Sequence, residues 1–217
     1  MSAARTDAVI AAIAADARPI RPLAPPLNRA LRILGIIVLV SLVAIAWRGD
    51  VSGLLARYAG REHMMALESI AMLATGMLAV VAAFFLSIPG ESRRWMLAPV
   101  VPLVTWVTLS GAGCYDHFLR NSASGWGLGH SIDCLLFILG VSLVLAVPLI
   151  WRLSRASPID PLPVAVLGGL GTASLAALLL QFFHPFAVTF LDLGVHLLAI
   201  FLVVALMVGF RRRALVR

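Results

Sequence analysis

An all-α, polytopic membrane helical bundle is the fold class that this sequence predicts, and three observations predict it. Hydrophobic residues make up 61% of the 217-residue chain and charged residues only 12%, whereas water-soluble domains carry roughly half and a quarter. Six apolar stretches, 31–47, 64–88, 95–113, 132–151, 163–183 and 187–210, each reach the roughly 17–25 residues that cross a hydrocarbon core as helix. None alternates with a period of two, which sets aside a transmembrane barrel, and a helix satisfies its own backbone within each segment.

The charges set the expected topology. Every one of the 17 basic residues is arginine. Thirteen fall on one side: Arg5, Arg18, Arg21, Arg29, Arg32, Arg93, Arg94, Arg152, Arg155, Arg211, Arg212, Arg213 and Arg217. The other side holds Arg48, Arg57, Arg61 and Arg120. The positive-inside rule then places both termini in the cytoplasm and loops 48–63, 114–131 and 184–186 outside. Trp47, Trp95, Trp126 and Trp151 lie at or beyond segment ends, where interfacial anchors belong. The net charge of +7 is a topology signal here, and no direct nucleic-acid contact is expected from it.

Two units follow: a cytoplasmic head, residues 1–29, and a transmembrane domain, residues 30–217. In the head, Thr6 and Asp7 can cap a short helix running to about residue 17, with Val9, Ile10, Ile13 and Ala17 as its apolar stripe. Pro19, Pro22, Pro25 and Pro26 then favour a stiff, extended connector. A small amphipathic helix on such a tether suits docking to a protein partner, or lies on the lipid surface. In the membrane domain, the small residues Ala71, Gly76, Ala79 and Ala83, with Gly168, Gly169, Gly171, Ser174 and Ala177, allow close helix approach.

The outer side gathers side chains capable of chemistry: Cys114, Asp116 and His117, then His130, Asp133 and Cys134, then His184. Residues three and four apart share a helix face, so His130, Asp133 and Cys134 can project together. Thiolate, imidazole and carboxylate are ligands for zinc, copper and related ions, although the spacing matches no closed zinc motif. A disulfide between Cys114 and Cys134 is chemically allowed outside the cytoplasm. Within the spans lie Glu68, Asp192 and His196, and ionisable groups in lipid face protein or water and pair with one another. Asp192 and His196, four apart, fall on one face and can hydrogen-bond. The same three residues could serve a small transporter or channel.

At these residues the chain resembles the NrsF-type bacterial membrane anti-sigma factors, a six-span family. Residues 6–29, Thr-Asp-Ala-Val-Ile-Ala-Ala-Ile-Ala-Ala-Asp-Ala-Arg-Pro-Ile-Arg-Pro-Leu-Ala-Pro-Pro-Leu-Asn-Arg, are similar to that family's short helix and Arg-Pro-rich connector. Gly-His-Ser-Ile-Asp-Cys at 129–134 resembles its Gly-x-Ser-x-x-Cys at the start of the fourth span. The resemblance implies a non-enzymatic regulator of the bacterial inner membrane. Its head, through Val9, Ile10, Ile13, Ala17, Arg18 and Arg21, would hold an extracytoplasmic-function sigma factor until an outside signal releases it. Where the family commonly has Cys-Pro before the last span, this chain has Phe183, His184 and Pro185, so His184 stands in for the second cysteine. The implied sensing set is Cys134 and His184, with Cys114 and His130 nearby.

No cofactor is required by this reading, and a metal ion enters only as a candidate signal, held by Cys134, His184, Cys114, His117, His130 and Asp133. The rivals are a transporter or channel using Glu68, Asp192 and His196, and a membrane enzyme with an outward metal site.

Overall fold

With no water in the bilayer core, each apolar run must close its backbone hydrogen bonds internally, and the runs do so as helices. The structure is a computed structural model that describes residues 3–15, 22–59, 62–121, 128–183 and 190–215. A first helix, α1 (Ala3–Ala15), precedes α2 (Pro26–Arg48), short α3 (Val51–Tyr58), α4 (Glu62–Leu86), a 3-10 turn (Arg93–Leu97), α5 (Val100–Asn121), α6 (Leu128–Ser154), α7 (Pro161–Leu180) and α8 (Phe190–Leu215). Among the described residues six helices are long and apolar enough to span a membrane, namely α2, α4, the stretch through α5, α6, α7 and α8.

Element boundaries differ from the sequence expectation for identifiable reasons. Helix α1 already runs through Thr6 and Asp7, so neither caps its start; the alanines around them have the highest helix propensity and carry the helix further back. Helix α2 starts at Pro26, with a proline in its first turn, where the fixed φ is pre-set and no N–H is missed. The expected outer loop 48–63 contains α3, because the Asp50 carboxylate accepts from the Gly53 N–H and the Ser52 hydroxyl at 2.8 Å each. Most of the expected loop 114–131 is helical, belonging to α5 and α6.

Helix α7 is the most buried span, and it packs against α4, α8 and α6. Its small residues make this packing feasible. A Cβ added at Gly171 would lie 2.8 Å from Val80 Cγ2 and 3.2 Å from the Gly76 carbonyl oxygen, and one at Gly169 would lie 2.9 Å from Val204 Cα. Ala71, Ala79, Ala83, Ser174 and Ala177 are buried, as their size suggested. Thr172 in α7 returns its hydroxyl to the Gly168 and Gly169 carbonyls at 3.1 Å, so its polar group is satisfied within the helix.

Two apolar layers result. One, holding Ile33, Phe84, Leu149, Leu153 and Val164, lies toward the end where α2 begins and α6 finishes. The other, holding Trp106, Cys134, Ile138, Ala176 and Ile200, lies toward the opposite end. The Asp50 N–H donates to the Phe182 carbonyl at 2.8 Å, joining the α2–α3 link to the end of α7.

Close α4–α7 approach should make Gly171 intolerant of size. Gly171→Leu forces α4 away and should cost about 1–3 kcal/mol, read as a lowered thermal midpoint in detergent. Gly35→Ala, whose Cβ meets nothing within 4 Å, should leave the midpoint unchanged or slightly raised.

Candidate functional site

The half of the bundle around Trp106 and Cys134 carries a polar layer built by four spans. Helix α4 contributes Glu68, α5 contributes Ser110 and Cys114, α6 contributes Cys134, and α8 contributes Asp192 and His196. Cys114 and Cys134 are each 2% exposed and Asp192 is 7% exposed. The Ser110 hydroxyl donates to the Glu68 carboxyl group, giving this intramembrane acid a hydrogen-bond partner on the neighbouring helix. Glu68 and Asp192 both act electrostatically on Cys114, and Asp192 and Asp133 on Cys134. Asp192 is therefore within electrostatic range of both sulfurs. No disulfide joins them.

The wider constellation read from the sequence divides. Asp133 is exposed while Cys134, the next residue, is buried, because adjacent helical residues point about 100° apart. The two therefore do not form one ligand set. Among the described residues no three His, Cys, Asp or Glu side chains gather in an arrangement that holds a metal ion. His184 lies outside the described residues, as do the side chains of His117 and His130.

Sequence reading missed Ser110 and a second polar chain. Ser110 lies one helical turn before Cys114, and that four-residue spacing was the available signal. A further polar chain crosses the same end: the Tyr58 hydroxyl meets Ser69 Oγ at 2.6 Å, Ser69 donates to Gln181 Oε1 at 2.8 Å, and Gln181 Nε2 reaches the Met72 sulfur at 3.2 Å. It links α3, α4 and the turn after α7. Tyr58, Ser69 and Gln181 are too far apart in sequence to show any pattern.

The head is a separate candidate surface. Every described side chain of α1 from residue 5 onward is exposed, including Val9, Ile10 at 58% and Ile13 at 68%. These three share one helix face by their three- and four-residue spacing. Ala17, Arg18 and Arg21 lie outside the described residues.

A family model described as negative regulator of sigma F matches residues 13–217. A curated protein, the lipoprotein signal peptidase of Syntrophomonas wolfei subsp. wolfei, is 30% identical over 104 residues, covering 48% of this chain. The chain spans 66% of that peptidase's length, just under two thirds. No solved structure matches.

Burial of both sulfurs has a measurable consequence. In intact membranes Cys114 and Cys134 should react with a membrane-impermeant maleimide on the order of tenfold or more slowly than a cysteine at an exposed position. Leu55→Cys on α3, at a site 65% exposed, supplies that reference in a background lacking both native cysteines. Denaturation should abolish the difference.

Proposed function

From the premise that this chain belongs to the NrsF family of negative regulators of sigma F, we propose that it holds an extracytoplasmic-function sigma factor at the bacterial inner membrane and releases it on a periplasmic redox or metal stress signal. The partner is a sigma factor by the family; its extracytoplasmic class, the signal and the sidedness belong to the proposal. The observation that carries the docking role is the exposed apolar face of α1. Val9, Ile10 and Ile13 present hydrophobic area on a helix too short to span the membrane. Support for cytoplasmic termini comes from the arginine distribution, since Arg29, Arg93, Arg94, Arg152, Arg155 and Arg211 occupy helix ends on one side.

The polar layer suits sensing in this reading. Cys134 is its principal thiol, with His184 as the pairing group carried over from the family pattern and Cys114 as the competing second thiol. What favours Cys114 is that both sulfurs have Asp192 as an electrostatic neighbour. Reversible sulfur oxidation, or capture of a soft metal supplied as the signal, would change packing in a layer contributed by α4, α5, α6 and α8. No catalytic step is required. Glu68 and Asp192 then serve the thiol layer, not a transport path or a hydrolytic site.

Replacing both Ile10 and Ile13 with Asp places two charges in an apolar contact, which should cost about 3 kcal/mol or more, on the order of 100-fold in affinity. The variant should fail to retain sigma in a membrane pull-down and should give constitutive sigma-dependent transcription. Repression that survives at normal protein levels would move the docking surface elsewhere.

The sensing assignment separates by three single changes. Cys134→Ser should abolish induction; His184→Ala should do so if thiol and imidazole act as the pair, and Cys114→Ser should do so if the two thiols act together. Full induction in the Cys134→Ser strain would remove the sensing role from this layer.

A further inference from the structure

At the opposite end of the bundle from the cysteines, Arg29 is held in an arrangement that shows no counter-ion among the described residues. It lies in the first turn of α2 and is only 7% exposed. One arm of its guanidinium, Nη2, donates to the Arg152 carbonyl at 2.9 Å, capping the last turn of α6, and its Cζ lies 5.1 Å from the centre of the Phe84 ring. The other arm, Nη1, is buried and makes no hydrogen bond. The Arg152 side chain is close enough to act electrostatically on Arg29.

Arg152 and Arg155 lie over the Trp151 ring at 4.9 and 4.1 Å. Among the described residues no carboxylate forms an ion pair with Arg29, Arg152 or Arg155, and the nearby bridge joins Arg93 to Asp160 at 3.1 Å. A buried guanidinium arm that makes no hydrogen bond, on a residue within electrostatic range of a second arginine, is an unfavourable arrangement that an anion would complete.

We propose that Arg29 and Arg152 form a binding site for the phosphate of an anionic glycerophospholipid such as phosphatidylglycerol. The depth of the site selects a lipid. Arg29 lies at the start of one span and Arg152 near the end of another, which is headgroup level, where basic pockets between helices receive lipid phosphates. The geometry below the site also fits. Ile36 and Val40, seven and eleven residues after Arg29, fall on the same stripe of α2 and are 42% and 46% exposed. An acyl chain descending from a phosphate on Arg29 would lie along them. Such a lipid would neutralise two like charges and join the first span to the end of the fourth, independently of whether the head binds sigma.

The test uses full-length protein in a nonionic detergent, with bound lipid measured by native mass spectrometry and by thermal stabilisation. Phosphatidylglycerol should bind and stabilise, whereas phosphatidylcholine and inorganic phosphate at equal concentration should not. Arg152→Gln keeps the backbone carbonyl that Arg29 caps, so the fold is retained, and should weaken phosphatidylglycerol about fivefold. Arg29→Gln should weaken it on the order of tenfold or more. Arg32→Gln, removing an exposed arginine in the same helix, should leave binding unchanged. Equal binding in wild type, Arg29→Gln and Arg152→Gln would overturn the proposal, as would equal stabilisation by inorganic phosphate. An effect of Arg32→Gln as large as that of Arg152→Gln would reduce the site to diffuse charge attraction and overturn it too. Loss of sigma retention in Arg152→Gln with lipid binding intact would assign the two guanidiniums to the protein partner instead.

Discussion

The backbones of α4 and α7 meet where Gly76 faces Gly171, and the remaining spans are arranged around that contact. A Cβ at Gly76 would lie 2.6 Å from Leu175 Cγ, so at this crossing each helix fills the space that a side chain on the other would need. Lipid tails are as apolar as leucine, and burial of apolar surface therefore drives helix association weakly inside a bilayer; dense van der Waals contact between closely approaching backbones takes its place. Helix α7 provides such contact on several sides, through Gly171 toward α4, Gly169 toward α8 and Gly168 toward Met207 and Leu149. Larger residues at these positions would push α7 away from α4, α6 and α8.

That packing brings the ionisable residues together. Glu68 and Asp192 are expensive groups at membrane depth, and they occupy α4 and α8, the helices that flank α7. Ser110 reaches Glu68 from α5, and the two cysteines enter from α5 and α6. A chemical change at either sulfur therefore occurs where four spans converge, so it can alter their packing without any large exposed surface. The opposite end is organised differently. There Arg29 ties α2 to the last turn of α6, Trp95 stacks on Phe85 with ring centres 4.1 Å apart, and Arg93 bridges to Asp160. One end holds the two thiols with Glu68 and Asp192, the other the guanidiniums of Arg29, Arg93, Arg152 and Arg155.

The sequence by itself determined the solvent, the number of spans and the small-residue faces, because each is a property of local composition. An apolar run of sufficient length needs no neighbour to be recognised, and a cluster such as Gly168, Gly169 and Gly171 announces close packing wherever its partner lies. It also identified Cys114, Cys134, Glu68 and Asp192 as chemically unusual residues, since ionisable or thiol groups stand out against an apolar background. Helix ends were less legible. Asp50 shows as a cap for α3 only once its carboxylate meets the Gly53 N–H, and Thr6 and Asp7 looked like caps but lie inside α1.

Only the tertiary structure decided which of those residues meet. Asp133 and Cys134 are neighbours in sequence, yet one is exposed and the other buried, because the side facing the bundle depends on where α7 and α8 pack against α6. Ser110 and Glu68 are 42 residues apart, and Arg29 and Arg152 are 123 apart; their pairing follows from helix order around α7, for which a single sequence carries no local signal. Periodicity states which residues share a face of one helix, whereas the choice of partner for that face is fixed by the packing of all six.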